Sequence, residues 1–233
     1  MPGKKEFWIK ASVVVFVGLI GIFRPDALAA FFTFPPAGPV RVYHILWALT
    51  VFILIKRMIP RYNKKISSLK IFARFYDEAG RISTARDEQM HRLKAMADRG
   101  ALKSAFYWLL LLADMLLWRT VGMFNDTWIY ITVLFFVFMD QFCVSVACPF
   151  KWLAGGKCCS TCRINNWGYL MAFSPLVFIP SFWTWSIIAV SIIVVIQWEY
   201  LYWRHPGRFF ETHNAALMCR NCVVECTGRR KLH

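Results

Sequence analysis

The apolar residues of this chain are gathered into long blocks, and this pattern limits the fold more than any other feature. Several blocks approach or reach the roughly 20 residues that a helix needs to cross a hydrocarbon layer of about 30 Å. The chain has 233 residues, of which 58% are hydrophobic, whereas soluble domains are nearer half apolar. The sequence therefore predicts an all-α, polytopic membrane helix bundle.

Six blocks are candidate transmembrane helices, and tryptophans stand at or near most of their ends, where indole rings favour the headgroup level. We place the spans at residues 8–23, 43–59, 105–123, 128–147, 167–183 and 185–203. Residues 1–59 then hold two helices, residues 105–203 hold a four-helix unit with a cysteine-rich loop at 148–166, and residues 204–233 form a cysteine-rich tail. The short first block and the short gap between the last two leave as alternatives five spans, or six with a re-entrant piece.

The basic residues indicate how this bundle is oriented. The formal net charge is +15, and with six spans 25 of the 28 lysines and arginines fall on one side, with Arg24, Arg41 and Arg119 left over. The positive-inside rule makes that side cytoplasmic. We therefore expect a multi-pass protein of the cell inner membrane with both termini in the cytoplasm. The charge suits contact with anionic membrane lipid, and nucleic acid is not expected as a partner.

Residues 60–104 form the one sizeable segment outside the predicted spans. Apolar residues recur at helical spacing in two stripes, and glycines stand where helices would break or end. The stripes are Ile66, Leu69, Ala73 and Tyr76, then Met90, Leu93 and Ala97, and the glycines are Gly80 and Gly100. This pattern predicts a cytoplasmic amphipathic helical hairpin that lies on the inner leaflet or under the bundle. The alternative is a docking surface for a soluble electron donor or a partner oxidoreductase subunit.

Seven of the eight cysteines lie in two groups that an even number of predicted crossings separates, so both face the cytoplasm. The loop within "GGKCCSTCRINNW" and just before it carries one group, and the tail segment "MCRNCVVEC" carries the other. The groups are Cys148, Cys158, Cys159 and Cys162, then Cys219, Cys222 and Cys226. Thiols in a reducing compartment rarely form structural disulfides. Metal ligation is therefore the leading interpretation.

Two Cys-x-x-Cys pairs supply four thiolates, the ligand set of an iron–sulfur cluster or of structural zinc. The pairs are Cys159–Cys162 and Cys219–Cys222. Because the surrounding cysteines offer more sulfur than one zinc needs, we favour an iron–sulfur centre, one or two [4Fe–4S] clusters, with zinc as the alternative. Cys148, Cys158 and Cys226 are the next candidate ligands, while Cys143 in the fourth span is expected to be structural.

Two aspartates lie inside predicted spans, where ionisable groups are costly and usually functional. Asp114 lies midway along the third span and Asp140 lies beyond the middle of the fourth. The tight turn between these spans predicts that the two carboxyls lie within roughly a turn of each other in depth. They could then share a proton or contact a quinone head group. The alternative is a role in helix–helix hydrogen bonds alone.

These features favour a membrane-integral electron-transfer protein. A cytoplasmic donor would reduce the cysteine-ligated cluster, and the electron would pass to membrane quinone or to a partner subunit. In this interpretation Asp114 and Asp140 have the catalytic role of handling protons or binding a head group. Two other classes stay open, a zinc-stabilised membrane anchor or scaffold and a metal-ion transporter. The sequence does not decide whether the protein is itself an enzyme or a subunit of a membrane oxidoreductase.

Overall fold

The regular elements of the computed structural model are helices, as the sequence predicts. The structure describes residues 2–63, 66–71, 76–80, 83–146, 148, 150, 162–218 and 221, and within these residues β-structure is limited to two isolated bridges. The α-helices are α1 (Pro2–Phe23), α2 (Pro25–Thr33), α3 (Val42–Met58), α4 (Ile66–Ile71), α5 (Thr84–Thr120), α6 (Asp126–Ser145), α7 (Gly168–Phe173) and α8 (Phe182–Arg204). Short 3₁₀ helices occupy Ser174–Phe178, Pro206–Phe209 and Ala215–Leu217.

Several of these helices are long and apolar enough to cross a membrane, so the protein is a membrane protein by the length and composition of its helices. In the described part of the chain α5, α6 and α8 qualify singly. Helices α1 and α2 make a fourth candidate that is bent by 114° at the break between them. The structure thus supports three to four spans, and the predicted count of six is not confirmed.

The predicted fifth span, residues 167–183, is not one helix. Helix α7 has six residues, the 3₁₀ helix that follows it has five, and a short non-helical stretch then precedes α8. Pro175 lies in the first turn of the 3₁₀ helix and Pro180 follows it. Proline lacks the N–H that an α-helix interior needs, which explains why an apolar block of this length does not continue as a single α-helix.

The interrupted segment nevertheless runs antiparallel along α8. At its start the indole N–H of Trp167 donates to Glu199 near the end of α8 (2.8 Å). At its far side the hydroxyl of Thr184, near the start of α8, donates to the carbonyl of Ile179 (2.6 Å). The segment therefore covers the part of α8 between Thr184 and Glu199, about 22 Å at 1.5 Å per residue.

Helices α3 and α8 pack side by side and run in the same direction. The indole N–H of Trp47 donates to the hydroxyl of Ser186 (2.8 Å). Eleven residues further along both helices, the amide of Gln197 donates to the carbonyl of Met58 (2.8 Å). Both helices advance by the same number of residues, in the same direction, from one contact to the next, so the two helices are parallel.

Helices α1 and α6 form an antiparallel pair. The ring of Phe7 near the start of α1 contacts Phe142 near the end of α6, with centroids 6.3 Å apart. At the other end of α1, a β-carbon on Gly21 would collide with the side chain of Ile131. The absence of a side chain at Gly21 is therefore what allows this close approach between the two helices.

The two helix pairs share one apolar core. Its buried members come from α3, α6, α7, the following 3₁₀ helix and α8, and they are Leu54, Ile129, Phe173, Leu176, Ile179 and Ile187. Because the interrupted segment contributes residues from its middle, it lies between the pairs and holds them together. This core fixes the relative depth of the elements that build the candidate site.

Helix α5 runs without a break through the predicted helix end at Gly100. It begins after Ser83, whose hydroxyl accepts from the backbone N–H of Arg86 (3.4 Å), and it continues for 37 residues. A glycine inside a helix costs only about 1 kcal/mol. Met90 is buried and Leu93 is half-buried, so the predicted apolar stripe does pack against the protein. The expected boundary between hairpin and span at residues 104–105 therefore lies inside one helix.

Candidate functional site

A cluster of four charged side chains lies at the end of α8, beside the turn that follows Cys162. Arg163 donates two parallel hydrogen bonds to the carboxylate of Glu199, at 2.6 and 2.5 Å. Its Nε donates to Asp98 of α5 at 3.2 Å, and Lys94 donates to the same carboxylate at 2.6 Å. Two cations thus face two carboxylates, which joins α5, α8 and the turn in one charge-balanced network that we call the Arg163 cluster.

Aromatic rings complete the Arg163 cluster. The guanidinium lies 3.7 Å from the ring centroid of Tyr202, whose hydroxyl donates to Asp98 (3.0 Å). The Arg163 side chain is only 9% exposed. Burial alone would lower the pKa of Arg163, but its hydrogen bonds to Glu199 and Asp98 and the Glu199 charge raise that pKa above its ordinary value. The guanidinium therefore stays charged and holds the residue after Cys162 in place.

The segment before the second cysteine group is held by a buried asparagine. Asn214 is fully buried, and its side-chain amide donates to the carbonyls of Lys70 (3.0 Å) and Arg208 (2.8 Å). Its side-chain oxygen accepts from the backbone N–H of Ala216 (3.1 Å). These three hydrogen bonds fix the turn that ends at Met218, just before Cys219.

Residues next to the two cysteine groups lie close together at the end of α8. Arg163, one residue after Cys162, stacks on Tyr202. Leu217, two residues before Cys219, belongs with Tyr202 to one cluster of buried residues at the end of α8. The chain segments next to the two predicted ligand groups therefore meet at a single end of the bundle.

The cysteines themselves are only partly described. Cys143, Cys148 and Cys162 are half-buried, and Cys162 packs against Ala101 and Ile164. The other predicted ligands, Cys158, Cys159, Cys219, Cys222 and Cys226, lie outside the described residues. Among the residues that the structure describes, no three histidine, cysteine or acidic side chains are grouped so as to hold a metal ion. The metal centre stays a prediction.

A cavity of about 1290 Å³ opens between the two helix pairs. Most of its wall is apolar and comes from α1, α2, α3, α6 and α7, with lining residues that include Phe16, Ile20, Leu28, Phe32, Leu46, Ile53, Ile131, Leu134 and Phe173. All of its charged residues gather where α1 begins and where α3 and α6 end, and the polar residues there include Lys10, Lys56, Arg57, Asp140, Gln141, Asn165 and Tyr169, whereas Thr50 and Tyr130 line other parts. The cavity thus has a long apolar part and one polar end.

Hydrogen bonds organise the polar end of the cavity. Lys10 donates to the side-chain oxygen of Gln141 (3.0 Å), which ties α1 to α6. Arg57 donates to the hydroxyl of Tyr169 (3.0 Å), which ties α3 to α7. Three cations face one carboxylate among the lining residues, so this end carries net positive charge.

The two predicted catalytic aspartates are not brought together. Asp140 is half-buried and lines the cavity, whereas Asp114 is exposed on α5. The turn between their helices is closed by Arg119, which donates to Asp126 (2.8 Å). Counted from that pair, the two aspartates differ in depth by about 14 Å at 1.5 Å per residue. This count does not support the expectation that the two carboxyls lie within roughly a turn in depth, because Asp140 lies much further from the turn than Asp114 does.

Sequence reasoning missed the Arg163 cluster and the role of Asn214. Asp98 lies on the same helical face as Met90 and Ala97, so a polar residue on the inward stripe of α5 was an available signal. Glu199 in an apolar block was a second signal. Nothing in the local sequence around Asn214 indicates contacts with Lys70, because that partner lies far away in the chain.

Comparison of the chain with protein-family models, with curated proteins and with solved structures finds no match.

Proposed function

We propose that this protein transfers electrons within a membrane through a cysteine-ligated iron–sulfur centre at the end of the bundle where the Arg163 cluster lies. The observation that carries the proposal is the convergence of Arg163 and Leu217 on the end of α8. The two Cys-x-x-Cys pairs lie directly beyond these anchored residues. Four thiolates from two such pairs are the ligand set of a [4Fe–4S] cluster. A second cluster would need a fourth ligand besides the three remaining thiols.

The proposed topology has six crossings, with both termini in the cytoplasm of a cell whose inner membrane holds the protein. Parallel α3 and α8 support it, because each starts at the same face although two further helices and the interrupted segment lie between them in the chain. The residues around Arg163 and Asn214 would hold the centre in position on the cytoplasmic side. A soluble one-electron donor or a partner oxidoreductase subunit would dock on the basic cytoplasmic face. The electron would then pass to quinone or to the partner.

Metal analysis and an electronic spectrum of anaerobically purified protein test this proposal. We expect iron and sulfide in equal amounts, and absorbance at about 400 nm that dithionite bleaches. Colourless protein that holds zinc instead would leave the scaffold function in its place. Metal-dependent uptake into vesicles that is lost in Cys159→Ser and Asp140→Asn would leave the transporter function.

Serine variants locate the ligands. Cys162→Ser and Cys222→Ser should each lose iron, and they should also destabilise the protein because metal binding contributes to folding. Cys143→Ser is the matched control, since this half-buried residue lies within α6, and it should keep its iron. If iron survives in both ligand variants, the assignment of the pairs is wrong.

A further inference from the structure

The polar end of the cavity lies next to the turn that carries Cys162. Asn165 lines the cavity, and its backbone N–H donates to the carbonyl of Cys162 (3.2 Å). Three residues of chain span at most about 10 Å. A group that contacts Asn165 at the polar end would therefore lie close to Cys162, a predicted cluster ligand.

The shape of the cavity fits an amphiphile with a long apolar tail. Its volume of about 1290 Å³ exceeds the roughly 300–1000 Å³ of most small-molecule pockets. The apolar wall includes Phe16, Phe32 and Leu46, which lie away from the polar end along α1, α2 and α3. A tail in the apolar part would place its head group at the polar end.

The polar residues favour a head group that accepts hydrogen bonds and takes up protons. Lys10 and Arg57 supply charged donors from opposite walls, and Asp140 supplies a carboxyl within the same end. The carbonyl oxygens of a quinone accept hydrogen bonds, and cations stabilise the negative charge that develops on reduction. The three cations would also attract a phosphate head group, but a phosphate takes up no proton and so gives the Asp140 carboxyl no role.

We propose that this cavity binds an isoprenoid quinone and is the place where the quinone is reduced; this inference rests on the electron-transfer function proposed above. The cysteine-ligated centre, if bound, would supply the two electrons one at a time, and the cytoplasmic one-electron donor would provide them. Two protons enter from the cytoplasm by way of Asp140. Both carbonyls thereby become hydroxyls, so that one quinone, two electrons and two protons give one quinol.

The experiment uses the full-length protein in nanodiscs of phosphatidylcholine, with a photoreactive azido-benzoquinone that carries a decyl tail. After illumination, labelled peptides should come from α1, α3, α6 and α7, the elements that line the polar end of the cavity. Unlabelled decyl-benzoquinone should prevent labelling, whereas phosphatidylglycerol should not. Labels that lie elsewhere, or that phosphatidylglycerol removes, would overturn the proposal in favour of a surface site or a phospholipid.

Two variants and a control sharpen the result. Lys10→Gln should weaken quinone binding about tenfold, because it removes a charged donor from the head-group end. Thr50→Trp should reduce labelling by narrowing the cavity at the position that Thr50 lines, with unfolding temperature as the check on folding. Lys103→Gln changes an exposed cation of α5 that does not line the cavity, and it should leave binding unchanged. Equal binding in Lys10→Gln and Lys103→Gln would contradict the placement of the head group.

Iron measured on the same samples separates this inference from the proposed function. Protein that lacks iron but is labelled in the cavity would refute electron transfer while leaving the quinone site standing. Protein that contains a bleachable iron centre but is not labelled in the cavity would refute the site while leaving the function standing.

Discussion

Helices α5 and α8 both contain a long apolar part, yet the acidic residues in these parts, Asp114 and Glu199, have different surroundings. In α8, Glu199 is bound by Arg163 and Trp167, and Gln197 reaches the end of α3. In α5, Asp114 is exposed halfway along the apolar part. The difference follows from position, because α8 has neighbours on several sides whereas large apolar side chains of α5, such as Leu109, are mostly exposed. A charge in an apolar helix is satisfied only where another element supplies its partner.

The largest effect should come from breaking the satisfied side of this comparison. Glu199→Gln leaves the buried guanidinium of Arg163 with Asp98 as its remaining carboxylate. Removing one member of a buried ion pair costs about 3 kcal/mol or more. The free energy of unfolding, measured by denaturant titration in detergent micelles, should fall by about that amount.

The matched control breaks a more exposed pair at the opposite end of the molecule. Asp126→Asn removes the partner of Arg119, and the Asp126 side chain is 59% exposed. An exposed ion pair contributes only about 0–1 kcal/mol. Similar losses of unfolding free energy in Glu199→Gln and Asp126→Asn would show that the buried Arg163 cluster stabilises the protein no more than an exposed ion pair does.

The next effect concerns Asp114, the exposed aspartate in the apolar part of α5. An aspartate at the centre of a membrane helix costs roughly 2.5–3.5 kcal/mol of insertion free energy. Asp114→Leu should therefore make the isolated protein more stable, by up to about 2 kcal/mol in the same unfolding assay. A loss of stability would contradict the exposed position of Asp114 and indicate that a second copy of the chain covers it, which cross-linking at Leu110→Cys tests.

Asn214 gives a comparable effect outside the apolar helices. Asn214→Ala removes the donor to the carbonyls of Lys70 and Arg208, which costs about 2 kcal/mol, and it should also speed hydrogen exchange in residues 214–218. Asn221→Ala removes an exposed side-chain hydrogen bond to Ala215 and serves as the control. If both variants exchange alike, the buried asparagine does not hold the tail.

The smallest effect tests the contact between α3 and α8. The hydrogen bond from Trp47 to Ser186 should contribute about 0.6 kcal/mol, the usual value for polar contacts between membrane helices. A double-mutant cycle with Trp47→Phe and Ser186→Ala measures this coupling. A coupling of zero would mean that packing alone aligns the two helices.

The sequence was sufficient where the pattern is local. Long apolar blocks predict the helices that cross a membrane, and the spacing of Met90, Leu93 and Ala97 identifies the inward face of α5. The expected tryptophans near helix ends are found in α6 and α8, where Trp128, Trp183 and Trp203 lie within the first or last turn, whereas Trp108 lies well inside α5. These features depend on residues a few positions apart, which one chain segment shows by itself.

The sequence failed where distant residues decide the outcome. Gly100 resembles a helix end, but packing of the adjacent Ala101 with Ile164 keeps the helix intact. Residues 167–183 resemble a span by composition, although their prolines interrupt the helix. The cavity was also out of reach, because its polar end is assembled from α1, α3, α6 and α7.

The continuity of α5 has a mechanical consequence. At 37 residues the helix is about 55 Å long, nearly twice the thickness of a hydrocarbon layer. A tilt of about 10° around Asp98 would move Arg119 sideways by about 5 Å. Any protein that pushes on the first turns of α5 would thus shift the opposite surface of the bundle, as a lever transmits force across its pivot.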